Sequence, residues 1–187
     1  MEFKELLKFL SFTEKLKCNT RHSWTSDGRR ESVAEHTYRL CVFSWALKEN
    51  FPDLDMQKVL LMCLFHDLGE AITGDIPSFE KTKEDKEKES RLLFAYIESL
   101  PESQREELKS LLEELEEDES KEAHLVHALD KMEAVIQHNE ASIDTWLPLE
   151  YDLQLTYGDE QIAKVEELQG LRDLIREASK EKIKNKK

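Results

Sequence analysis

Glycine and proline are scarce in this chain, at 5 and 4 of 187 residues. That excludes collagen-like repeats, flexible linkers and most turn-dense β-sandwiches. Cysteine is scarcer still. Cys18, Cys41 and Cys63 form an odd set with no CxxC spacing, so neither a disulfide framework nor a thiolate metal knot follows from them. Cys41 and Cys63 fall inside apolar helical stretches and are expected to be reduced thiols in a reducing cytoplasm. The longest apolar run, Val59 to Phe65, has 7 residues, against roughly 20 for a membrane span. The N-terminus alternates charge with apolar residues and offers no signal-peptide h-region. Positive charge is in deficit, with 27 Lys+Arg against 41 Asp+Glu and a net charge of −14. This argues against a nucleic-acid polymer as partner, because such binding needs many Lys/Arg–phosphate contacts. A small phosphate ester in a local basic pocket remains compatible.

What is present is helical periodicity. Apolar content of 39% is enough for one folded core at this length. Residues 2–17 put Phe3, Leu6, Leu7 and Leu10 on one stripe. A polar, turn-rich stretch runs from Asn19 to Arg30. Ser32-Val-Ala-Glu35 is a capping-box pattern that starts a helix to about Glu49. Further helices are expected at 55–68, 84–99, 103–117, 120–141, 147–155 and 160–180, and no strand is expected. The fold class is all-α, a single domain over 1–180 with a basic, frayed tail at 181–187. Charge is uneven: Glu102 to Glu122 carries 10 acids and 3 bases, which reads as a solvated helix face.

Polar residues interrupt the apolar stripes at informative places. His36 lies between Val33 and Leu40 on the inward face of its helix. His66 ends the stripe of Val59, Met62 and Cys63, and Asp67 follows it. Asp130 lies between Val126 and Ala134. A buried carboxylate must be paired, protonated or metal-bound. Each residue taken singly also reads as a hydrogen-bonded core group or an ion pair. As a set, two imidazoles and two carboxylates suit a borderline divalent metal with positions left open. Glu70 stands one turn past His66, and Asp75 sits on the following loop, where acid–base groups and substrate contacts gather. His124, His127 and Asp130 recur at spacing three on one helix face, where the two histidines read either as an extension to a second metal or as exposed or packing side chains. Gln137, His138 and Glu140 read either as pocket groups or as helix ties. Trp146, Leu147, Leu149 and Tyr151 read as core or dimer contacts.

Glu35-His36, Phe65-His66-Asp67 and Asp130-Lys131 together resemble the H…HD…D signature of the HD-domain metal-dependent phosphohydrolases. The segments 31–36 and 66–77, the latter ending in Gly-Asp-Ile-Pro, look like the 5′-deoxynucleotidase, or HD domain-containing protein 2, branch. The resemblance implies a compact helical domain, often a homodimer. It implies His36, His66, Asp67 and Asp130 as ligands of one divalent ion (Mn, Co, Zn, Fe, Ni or Mg), and Glu70 and Asp75 as the catalytic acids. It implies Arg21 as a nucleotide contact, with Asp75 beside the substrate. One departure stands out: bacterial relatives carry Trp directly after that Arg, whereas this chain has His22, with Trp24 two positions on as the candidate substrate contact. The implied reaction is hydrolysis of (deoxy)ribonucleoside 5′-monophosphates to nucleoside and phosphate. The alternatives are another phosphate ester, such as a cyclic nucleotide or nucleoside triphosphate, or a noncatalytic interaction module.

Overall fold

Side-chain caps set several helix starts. The computed structural model describes residues 2–186. Helix α1 covers Phe3–Thr13 and α2 Lys15–Cys18. Strands β1 (Thr20–Trp24) and β2 (Arg30–Ser32) follow, and lead into α3 (Val33–Ala46). The Ser32 hydroxyl accepts from the Glu35 amide, while the Glu35 carboxylate reaches back to the Ser32 amide, which is the expected capping box. Asp55 caps α4 (Met56–Phe65) by accepting from the amides of Gln57 and Lys58. The short α5 spans Glu70–Thr73, α6 Lys83–Ile97 and α7 Glu102–Glu117. Ser120 caps α8 (Lys121–Glu140), and α9 (Glu150–Thr156), α10 (Asp159–Ile162) and α11 (Gln169–Lys184) complete the order.

Helix α8 is the axis of the fold. Leu125, Val126, Leu129, Met132 and Val135 are all buried, and α3, α4, α10 and α11 pack around them. Each such side chain contributes roughly 1.5–3 kcal/mol by leaving water. Polar side chains held among these apolar neighbours are therefore fixed by packing, and His36 on α3 and Asp130 on α8 are two of them.

Several elements differ from the sequence expectation. The stretch after Asn19 folds into an antiparallel hairpin, with Thr20 opposite Ser32 and Trp24 opposite Arg30 and an irregularity between them. That irregular register erases the two-residue alternation by which a strand is recognised. The last expected helix is two, because the chain is extended at Val165, whose side chain is buried. Helix α11 then continues through Lys184 into the segment expected to be a tail, and Lys187 lies outside the described residues. The stripe of Phe3, Leu6, Leu7 and Leu10 faces solvent; the first two helices instead bury Phe12 and Leu16. No helix among the described residues is long and apolar enough to cross a membrane.

Candidate active site

Three segments deliver the four candidate ligands. His36 comes from α3, His66 and Asp67 from the turn that ends α4, and Asp130 from α8. His36 Nε2 lies 3.0 Å from Asp130 Oδ1 and 3.8 Å from Asp67 Oδ2. His66 Nε2 lies 3.0 Å from Asp67 Oδ2 and 3.8 Å from Asp130 Oδ1. The far ring nitrogens are engaged elsewhere: His36 Nδ1 is 2.5 Å from Glu133 Oε2, and His66 Nδ1 is 2.9 Å from the Cys63 carbonyl. Both imidazoles thus turn Nε2 inward, and a carboxylate or carbonyl behind a ligand histidine is the usual way to fix its tautomer.

The donor set fits a divalent cation. His66 Nε2 is buried without a hydrogen-bond partner among the described residues, and two imidazole nitrogens with two carboxylate oxygens suit borderline and hard ions alike. Without a cation, the electrostatics favour protons in its place. Burial disfavours the His66 imidazolium, but Asp67 and Asp130 outweigh it and raise its pKa well above the ordinary value. Burial likewise opposes the Asp130 carboxylate, and Lys131, His36 and His66 outweigh it and hold its pKa well below the usual range.

Asp67 and Asp130 open onto a cavity of about 220 Å³. Arg21, Lys81, Lys86 and Lys131 bring positive charge to its lining, and Glu70 and Asp75 bring negative charge. Glu70 Oε2 is buried without a hydrogen-bond partner among the described residues, and burial, then Asp67 and Asp75, push its pKa up to about 9. Asp75 is also raised, by burial and then by Asp67, against the opposing Arg21. Arg21 Nη1 lies 3.8 Å from Glu133 and 3.9 Å from Glu31, without a hydrogen bond to either, and so keeps a donor free.

Trp24 does not line the cavity. Its indole is covered by the Arg30 guanidinium at 4.5 Å, and its carbonyl accepts from Gln137 Nε2. His22 faces the cavity instead, as does His138. Gln137 and Glu140 bind Arg39 and tie α8 to α3. His124 and His127 contact the carbonyls of Asp118 and Leu115, away from the four ligands. Trp146 is buried, and its indole donates to the His138 carbonyl. All three cysteines are free, and burial lifts the Cys63 thiol to about 12.

Sequence reasoning missed the layer behind the ligands. Glu31, His36 and Glu133 form a buried cluster, neutralised by Arg21 and by Arg39, whose Nε is 3.4 Å from Glu133. The available signal was Glu133 itself, an acid three residues after Asp130 on an otherwise apolar helix face.

A family model for the HD domain matches residues 13–172. Human 5′-deoxynucleotidase HDDC2 is 36% identical over 141 residues, which covers 73% of this chain and 68% of that protein. The 5′-deoxynucleotidase hdd1 of Schizosaccharomyces pombe is 31% identical over 140 residues, covering 71% of this chain and 70% of the relative. Among solved structures, a predicted metal-dependent phosphohydrolase from Magnetospirillum magnetotacticum superposes with a TM-score of 0.81 at 26% identity, covering 97% of this chain and 93% of its own. With the family match spanning most of the chain and the histidine–aspartate cluster at its centre, this protein belongs to the HD-domain phosphohydrolase family.

Proposed function

We propose that this chain is a metal-dependent phosphomonoesterase. It hydrolyses (deoxy)ribonucleoside 5′-monophosphates to nucleoside and phosphate, with His36, His66, Asp67 and Asp130 holding one divalent ion. The observation that carries this reading is the convergence of two Nε2 atoms and two carboxylate oxygens beside the buried carboxyl of Glu70, whose Oε2 has no hydrogen-bond partner among the described residues, at a cavity with a cationic lining. The names of the deoxynucleotidase relatives support the substrate class.

When bound, the ion supplies Lewis acidity toward a phosphoryl oxygen and acidifies water. The chain's own residues do the rest. Arg21 clamps the phosphate with its free guanidinium donor. Glu70 takes a proton from the attacking water, for which its buried carboxyl must first ionise. Asp75 lies across the same cavity and holds the sugar or the leaving oxygen. Lys131 neutralises the outer oxygen of Asp130, with Nζ to Oδ2 at 2.8 Å. Trp24 acts on substrate only indirectly, by bracing the hairpin through Gln137.

One observation favours a more highly charged ester as the alternative substrate. Lys81 and Lys86 add positive charge beyond what one phosphate group requires, as a nucleoside triphosphate would use. The three free cysteines fit a reducing cytoplasm. Tyr38, Trp45 and Leu64 are 73%, 63% and 45% exposed, apolar side chains that a homodimer contact would cover.

Phosphate release from matched deoxy- and ribonucleotides, across manganese, cobalt, zinc and magnesium with a chelator blank, tests the proposal. Release from monophosphates that is lost with chelator and in Asp67→Asn is the expected result. Turnover confined to diesters or triphosphates, or full activity in Asp67→Asn, would overturn it.

A further inference from the structure

One carboxylate ties down both ends of the loop that carries Asp75. The loop leaves α5 at Thr73 and reaches α6 just after Lys81. Thr73 Oγ1 donates to Glu89 Oε2 at 2.9 Å, and Lys81 Nζ donates to Glu89 Oε1 at 2.9 Å. Glu89 stands on α6, so its two oxygens fasten both loop ends to one helix. The side chains of Lys81 and Glu89 are only 15% and 18% exposed, which shields the pair from the water and salt that weaken surface ion pairs.

Gly69 makes room for this clamp. Its backbone is ordinary helix, with φ −60°, and in itself needs no glycine. A Cβ there would lie 2.7 Å from Glu89 Cγ. The stem of Glu89 therefore runs against the backbone two residues past Asp67.

Between its anchors the loop has little to hold it. It opens at Gly74, in the left-handed region with φ +77°. The amides of Glu80 and Lys81 both donate to the Pro77 carbonyl, inside the loop. Among the described residues, no backbone hydrogen bond runs from residues 75–80 to anything beyond the loop. Phe79 meets the ring of His22 edge to face, with centroids 5.4 Å apart. Yet residues 75–79 and Lys81 all line the cavity. A segment with so few bonds opens readily unless its ends are fixed.

We propose that Glu89 is a positioning residue that keeps the 74–81 loop closed over the cavity before substrate arrives. This rests on the reading of that cavity as the substrate site. Glu89 does not line the cavity and acts through Thr73 and Lys81. Only the closed loop presents Asp75 and Lys81 to a substrate. A smaller closed fraction lowers the apparent affinity by that fraction, whereas the bound complex is closed in either case. Lys81 Nζ also lies 3.9 Å from Glu70 Oε1, a contact that does not require Glu89. Loss of the clamp is therefore felt in KM and not in kcat.

The test pairs hydrogen exchange with steady-state kinetics on the manganese-loaded full chain, with deoxyadenosine 5′-monophosphate as substrate. In Glu89→Ala the amides of residues 75–81 should exchange about tenfold faster, with those of α8 unchanged. KM should rise about tenfold, with kcat within about twofold of wild type. Thr73→Val should show a smaller rise in KM, and its combination with Glu89→Ala should add nothing, because the shared bond is already gone. Glu89→Gln keeps an acceptor for Thr73, loses the ion pair and should fall between; it decides by the same readings if Glu89→Ala misfolds. Unchanged exchange in the loop would overturn the proposal. So would an active variant whose KM stays at the wild-type value, or one whose kcat falls as far as its KM rises. A wild type that releases no phosphate would overturn the substrate reading instead, and exchange alone would then decide the clamp.

Discussion

His36 Nδ1 and Glu133 Oε2 stand 2.5 Å apart, with both residues at 0% exposure. Glu133 makes no contact with the cavity, yet it sets which nitrogen of His36 faces Asp130. Burial opposes its carboxylate, and the hydrogen bond from His36, with Arg21 and Arg39 behind it, lowers its pKa nonetheless. Glu133→Gln keeps the shape and removes the charge. The expected outcome is about 10–100-fold weaker metal affinity, read by chelator competition. Unchanged affinity would show that packing alone orients the ring.

Glu70 gives the pH prediction. Its pKa is pushed up to about 9 by burial and by Asp67 and Asp75. A base must be deprotonated, so activity should rise with pH through this ionisation. A bound cation lowers the midpoint below about 9, because it stabilises the carboxylate. Glu70→Gln should remove that limb of the kcat profile and cost about 100–10,000-fold in rate. A variant that retains the limb would assign the ionisation to another group.

Gly158 adopts φ +79°, and a Cβ there would lie 2.4 Å from Cβ of Lys131. Both the backbone and the contact exclude a side chain. Gly158→Ala should lose about 2–4 kcal/mol of unfolding free energy in urea. It should also weaken metal binding, since Lys131 is displaced from Asp130. Stability within about 0.5 kcal/mol of wild type would contradict the close approach.

The exposed side chains of Tyr38, Trp45 and Leu64 predict self-association. Trp45→Glu with Leu64→Lys should shift a sedimenting dimer to monomer without loss of helical signal. A wild type that sediments as monomer at tens of micromolar would free this face for another role.

The residues most legible in the sequence were those whose chemistry clashed with their period. His36, His66 and Asp130 broke apolar stripes, and Asp67 adjoined one. The structure brings each imidazole within 3.8 Å of both carboxylates. Ser32 and Glu35 announced the start of α3 because a capping box is local chemistry. The hairpin was hidden, since its pairing is set by residues that lie six to twelve positions apart and not by alternation. The α1 stripe misled for a related reason. Period shows that apolar residues share a face, but not what covers that face. Trp24 and His22 show the same limit at single-residue scale: two positions apart, they would share a face on a regular strand, and the pairing irregularity between Thr20 and Trp24 lets only His22 reach the cavity.

Arg172 is 1% exposed, and its guanidinium reaches from α11 to Asp159 and to the Gln154 carbonyl, while Arg176 holds Asp159 and the Leu155 carbonyl. Gln154, Leu153 and Tyr157 form one side of the cavity. The final helix is therefore a keystone and not an appendage. A proteolytic cut in the connection around residues 163–168 would unlatch that side, and the site would lose its shape from a lesion touching none of its ligands.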